Sequence, residues 1–228
     1  EDGSRQWRTS AWPDRKHELW KYTSLQAFQK RDFTRWARTA GNWQDAELIG
    51  LNALRLVFVN GVFDAEASDP LVPGVTLFSA ADSIAHDVME THLGSILDTE
   101  RHLFARLSNA WTSEGVLVHV PRATRLEVPV YIVHVSTAQQ VAGVANQRVL
   151  IVLEDGAQAE VIEHYLSTAD EQNGFVNTLT EICVGQNASL QHTRISLEQE
   201  DLLHVGGVHV NLHRDARLHG FTIAEGSQ

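Results

Sequence analysis

Three stretches in the second half of the chain repeat one pattern. Glu154 to Ile162, Gly185 to Thr193 and His213 to Phe221 align on the alanines Ala157, Ala188 and Ala216, at offsets of 31 and 28 residues. A period of this length built from strand-type segments means coils stacked on one another. Such a solenoid presents a long surface for holding something.

Side chains alternate along a strand, so equivalent positions of stacked coils must share a facing direction. The columns Val149/Thr180/Val208, Ile151/Ile182/Val210, Leu153/Val184/Leu212, Ala157/Ala188/Ala216 and Ala159/Leu190/Leu218 are nearly all apolar and are expected to face inward. The columns Gln158/Ser189/Arg217, Glu160/Gln191/His219 and Glu163/Arg194/Thr222 are polar and are expected to face water. Past these the apolar register moves by one, to Ile162/Thr193/Phe221 and His164/Ile195/Ile223. A bend or bulge is therefore expected near Val161/His192/Gly220. A weaker fourth coil lies upstream, because Val116, Val118, Val120 and Leu126 precede Val149, Ile151, Leu153 and Ala159 by 33 residues each. Pro121 and Pro129 suit the turn and the bend of that coil, where no ladder hydrogen bond is needed.

These columns predict a mainly β chain with an N-terminal helical region. The β part reads as a right-handed parallel β-helix with coils of about 28–33 residues. A β-sandwich is the alternative, but a sandwich has no reason to repeat its in/out pattern in register. The expected division is a mostly helical region with one hairpin over 1–111 and the β-helix over 112–228. Short helices are expected over Glu18–Tyr22 and Asp32–Ala37. A longer one should open at a capping box, Ser79 to Asp82, and run towards His92. Another is expected over Thr99–Ser113, with Asp98 and Glu100 at its start and Gly115 as its stop. Asn60-Gly61, between Leu56 and Phe63, signals a type I′ hairpin. The sequence ends partway through a coil, so a longer protein or a partner is expected to cover that end.

Composition bounds the function classes. A net charge of −11 with no Lys/Arg block argues against nucleic acid or an anionic membrane as the main partner. The single cysteine, Cys183, gives no disulfide framework and suits a reducing cytoplasm. Cys183 shares the column His119/Val152/Cys183/Asn211, which invites a metal reading. Strands stack ~4.8 Å apart, so His119 and Cys183, two coils apart, have backbones roughly 10 Å from one another. Donors on one metal, each ~2.0–2.3 Å from it, need to be closer than that. The run His204, His209, His213 and His219 is dense without converging, since His209 and His213 lie roughly 13 Å apart along one strand. His164 reads as a hydrogen-bonded core histidine. His86 and His92 do not share a helical face, and His102 has no carboxylate at metal-ligand spacing except Asp98. No recognised zinc, redox, nucleophile or phosphate-loop motif occurs.

Acid/base chemistry is the alternative. Glu154, Asp155 and Asp215 occur at turns, and Glu160 and Glu163 are placed on the outer face. A carboxylate pair on adjacent coils, Glu127/Glu160, would suit a carbohydrate-active β-helix enzyme, either a polysaccharide lyase or a hydrolase. A solvated face beside Gln191 and Arg194 accounts for the same residues.

Five collinear segments carry a family resemblance. Arg15-Lys16-His17-Glu18-Leu19-Trp20-Lys21-Tyr22-Thr23-Ser24-Leu25 is followed by Phe58 to Phe63, His92-Leu93-Gly94, Phe104 to Ala110 with Gly115 to Pro121, and Arg148 to Glu154 with the repeats beyond. Together they resemble the SufB/SufD family of the SUF iron–sulfur cluster assembly machinery, on its SufD side. The resemblance implies a non-catalytic scaffold that pairs with SufB, each subunit also binding the ATPase SufC. A homodimer is the other pairing considered. The full complex is expected to handle iron and sulfur, whereas no cofactor is expected on this chain. The family's interface cysteine and histidine correspond to positions past residue 228. No catalytic, cofactor-binding or metal role is therefore assigned to any residue here.

Overall fold

The repeated alanine marks a turn with a specific backbone need. The residue before it, Gly156, Asn187 or Asp215, has φ of 72°, 57° or 59°. Glycine, asparagine and aspartate tolerate this left-handed conformation best. The alanine N–H then closes the turn on the carbonyl three residues back, at 3.0 Å for Ala157 to Glu154 and 3.1 Å for both Ala188 to Gly185 and Ala216 to His213.

In the computed structural model residues 12–13, 16–31, 33–36, 43, 48–97, 102–112, 114–138, 141–168, 171 and 173–225 are described. The strands are β1 (Thr34–Arg35), β2 (Leu54–Val59), β3 (Val62–Asp64), β4 (Val75–Leu77), β5 (Gly115–Val120), β6 (Val130–Ser136), β7 (Gly143–Leu153), β8 (Gln158–Ser167), β9 (Phe175–Val184), β10 (Ser189–Leu197), β11 (Leu203–Leu212) and β12 (Arg217–Glu225). From β5 onward, successive strands go alternately to two sheets. One sheet is ordered β11-β9-β7-β5-β4, with β1 beside β7, and the other β12-β10-β8-β6-β2-β3. Every pairing among β5 to β12 is parallel, so the chain forms a parallel β-solenoid. The antiparallel pairs β2–β3 and β4–β5 lie at its N-terminal end.

The apolar columns fall in register as expected. Val116 pairs with Val149, Val149 with Thr180 and Thr180 with Val208, while Ala159, Leu190 and Leu218 stack likewise. Their side chains meet between the sheets in one core that includes Val118, Ile151, Leu153, Val161, Ile182, Val184 and Leu190. The Asn60-Gly61 turn is present, with φ of 51° and 81°.

The expected bend is absent. β8 and β10 stay in continuous register from Gln158↔Ser189 to Leu166↔Leu197, so strict alternation carries Val161, Glu163 and Tyr165 inward and Ile162, His164 and Leu166 outward. The outer apolar residues are not a misplaced core. Ile162 and Leu166, with Val57, Val59, Tyr131, Val133 and Val135, form a second cluster packed by Trp43, Leu48, Ala53 and Ala67. Phe221 and Ile223, expected inside, are exposed.

Helices cover the outer face of the other sheet. They are α1 (Gln26–Gln29), α2 (Ser83–His92) and α3 (Leu103–Trp111). The cap of α2 is Asp82, whose side chain accepts from the Ala85 N–H at 2.9 Å. Ser79, expected to open the capping box, bonds Glu114 instead. Residues 33–36, expected to be helical, are extended, and Thr34 pairs with Gly143. This frees the Trp36 ring to lie against Gly143 and Gly174, where a Cβ would overlap it. Asp98 and Glu100 lie outside the described residues.

Candidate functional site

The inner face changes character along each coil. Near the repeated turns it is aliphatic. Further along, the columns Leu56/Ile132/Glu163/Arg194/Thr222 and Phe58/His134/Tyr165/Ser196/Ala224 place ionisable groups inside. Opposite them the other sheet turns in Thr178, Thr180 and His204, which share the inner face with Ile182 and Val210.

Glu163 is fully buried at the centre of this cluster. Its carboxylate accepts from His192 Nε2 at 2.6 Å, from Thr180 Oγ1 at 2.9 Å and from the Tyr165 hydroxyl. Burial alone pushes its pKa up. The His192 hydrogen bond and charge, followed by Arg194 and Tyr165, outweigh burial and hold the carboxyl well below the usual carboxylate range. Arg194 lies over the Tyr165 ring, 4.6 Å from its centroid, and donates to Thr178 Oγ1 and to His204 Nε2, the latter at 3.1 Å. Gly206 is where the guanidinium passes, since a Cβ there would meet Thr178 and Arg194. Burial, then the Glu163 charge, pushes the Tyr165 hydroxyl far above its ordinary range. Ionised Glu163 and protonated Tyr165 are thus fixed across the neutral range and shut off from water. The cluster suits holding charge in place better than exchanging protons with a substrate.

His134 stacks on Tyr165, with ring centroids 4.8 Å apart and planes 11° apart. Burial, assisted by Arg194 and His204 against the opposing Glu163, lowers its pKa to about 3. The histidine stays neutral in the fold but titrates near 6.5 when unfolded. Below 6.5 the unfolded chain binds the extra proton, so this contribution to stability is lost as pH falls from 6.5 towards about 3. We expect His134→Phe to remove up to ~1.4 kcal/mol per pH unit from the slope of stability across that window. Urea titrations at several pH values would show it, and an unchanged slope would refute it.

On the outer face of the helix-covered sheet, Arg148 and Glu181 form a buried ion pair at 2.7 Å. Glu181 also accepts from the Gly94 N–H at 2.9 and 3.0 Å, and Arg148 donates to Asn109 Oδ1 at 2.5 Å. The pair thereby ties the segment after α2, and α3, to the sheet.

The other candidate residues do not converge on one site. Cys183 is in the expected column but buried with Ala85, Leu117, Leu150 and Val152, beside Val88 and Met89 of α2. His164 is buried and hydrogen-bonded to the Tyr131 hydroxyl at 2.6 Å, but on the outer side of its strand. His119 pairs with Glu154 at 2.9 Å, and His209 meets His102 edge-on at 5.4 Å. Among the described residues no three of His, Cys, Asp and Glu could hold a metal ion. Glu127 and Glu160 border a shallow outer groove with Arg125, Gln158, Ser189 and Gln191. Glu163 and Arg194, expected on that solvated face, are inside. Applying alternation through Val161, Glu163 and Tyr165 without a break would have found them, because neither proline nor glycine interrupts β8.

The family model described as the SufBD protein N-terminal region matches residues 1–132, and that described as the SUF system FeS cluster assembly SufBD core domain matches residues 134–228. The chain belongs to the SufBD family. Its SufBD relatives include an iron-sulfur cluster assembly SufBD family protein of Synechocystis sp., 28% identical over 207 residues, which are 85% of this chain and 46% of that protein. The iron-sulfur cluster assembly protein SufD of Escherichia coli is 30% identical over 191 residues, 82% of this chain and 43% of its own length. SufD of Bacillus subtilis is 30% identical over 93 residues, 41% of this chain and 21% of its own length. The chain thus spans less than half the length of these SufBD relatives. Among the described residues no helix is long and apolar enough to cross a membrane.

Proposed function

We propose that the protein is a SufD-type scaffold subunit for iron–sulfur cluster assembly that pairs with SufB and works with the ATPase SufC, without catalysing a reaction itself. The observation that carries this reading is the SufBD match across both halves of the chain. The interior is compatible with it, because Glu163 of β8 is hydrogen-bonded to Thr180 of β9 and to His192 of β10 and so joins neighbouring coils. A cytoplasmic location suits this role. The tagged chain should recover SufB from a lysate containing SufB and SufC, as judged by mass, and iron and sulfide in the eluate would report an assembled cluster. A folded chain that recovers neither protein would count against the pairing. Turnover of a polysaccharide by the isolated chain would replace the scaffold with the carbohydrate-active alternative.

A further inference from the structure

The turn between β10 and β11, residues 198–202, sends two side chains back into the solenoid. Leu202 is fully buried against Trp36, Ala145, Tyr165 and Val176. Glu198 is also buried and lies 2.5 Å from His204 Nδ1. The other ring nitrogen, Nε2, is 3.1 Å from Arg194 and 3.1 Å from Thr178 Oγ1. A guanidinium can only donate. His204 Nε2 must therefore carry its lone pair towards Arg194, and the ring proton sits on Nδ1, facing Glu198. The ring is a neutral bridge between a carboxylate and a guanidinium.

Protonation changes which contacts the ring can make. An N–H at Nε2 would have only Thr178 Oγ1 to donate to and would face the N–H groups of Arg194, so the bond accepted from the guanidinium becomes a contact between two cations. Every element packed around the ring contributes to the balance: Glu198 from the turn, Arg194 from β10, Thr178 from β9, Tyr165 of β8 edge-on at 5.1 Å, and His134 of β6 through its charge coupling. We propose that Glu198, His204 and Arg194 form a proton-operated latch, closed while His204 is neutral, that holds the 198–202 turn and the start of β11 in the solenoid interior. Opening it frees Glu198 and Leu202 together, because one short turn carries both. The turn's own backbone bonds report the state: Gln199 N–H to Ser167 Oγ at 2.9 Å, and Leu202 N–H to Gln199 and Leu203 N–H to Gly174, each at 3.1 Å.

Hydrogen exchange of the full chain, corrected for intrinsic rates, tests the latch at about pH 8 and about pH 5.5. Protection at 199–203 should fall roughly tenfold more than in β8 of the same sample. His204→Asn keeps an N–H for Glu198 and cannot be protonated in this range, so it should abolish the difference. Equal losses in the turn and β8, or the same pH response in His204→Asn, would overturn the latch. Nitrogen NMR of the imidazole gives an answer that needs no variant: the Nδ1–H tautomer is expected at about pH 8, and an Nε2–H tautomer would rule the latch out.

Discussion

Glu163→Ala should cost about 3–5 kcal/mol of folding stability, the range for removing one partner of a buried charge network. The alanine leaves His192, Thr180 and the Tyr165 hydroxyl without their shared acceptor. It also leaves the Arg194 guanidinium in the interior without the Glu163 charge that balances it. Glu163→Gln separates the two effects. It preserves shape and one acceptor but directs an amide N–H at a ring of donors, so a smaller loss of about 1–3 kcal/mol is expected. The folded-state pKa of Glu163 lies below its ordinary value of 4.5. Its charge-dependent contribution is therefore complete above that value and lost as pH falls through the depressed one. The advantage of wild type over Glu163→Gln should accordingly hold at neutral pH and shrink in acid. Urea denaturation of the three proteins measures this. Equal losses for alanine and glutamine would mean that charge alone is what Glu163 supplies, whereas no loss in glutamine would mean that packing is.

The coils were legible in the sequence because their signal is redundant. Each inward column is sampled three or four times, and the left-handed turn residue recurs as Gly156, Asn187 and Asp215. The polar interior is hidden in the sequence because hydrophobicity and alternation disagree from Val161 onward. Ile162, Phe221 and Ile223 look like core, yet following them requires a bulge that β8, β10 and β12 do not contain. Their outer face is apolar because Trp43, Leu48, Ala53 and Ala67 cover part of it, and those contacts, made by residues about a hundred positions away, leave no local trace. The same limit applies at Trp36. Its neighbours suggest a helix, and only Gly143 and Gly174, distant in sequence, explain why the segment is extended. The family could be read from short collinear segments, whereas the cluster depends on which way a few side chains face.

Arg148→Ala and Glu181→Ala should each destabilise the fold by about 3–5 kcal/mol, since each strands a charge in the interface between the sheet and its helices. The two losses need not look alike. Glu181 serves both Arg148 and the Gly94 N–H, so its removal should also loosen the end of α2, raising exchange there beyond the global effect. Arg148 reaches Asn109 of α3, so its removal should be felt there. The double replacement Arg148→Met with Glu181→Leu is the decisive comparison. Two apolar side chains leave no stranded charge, and a buried ion pair exchanged for hydrophobic residues is often neutral or stabilising by about 1–4 kcal/mol. The double variant should therefore be far more stable than the sum of the single losses predicts, because residues in direct contact are not additive. If the losses add, the pair contributes through separate contacts and the ion pair is incidental. If they do not, Arg148 and Glu181 matter as a matched pair that sets where the helices sit on the sheet.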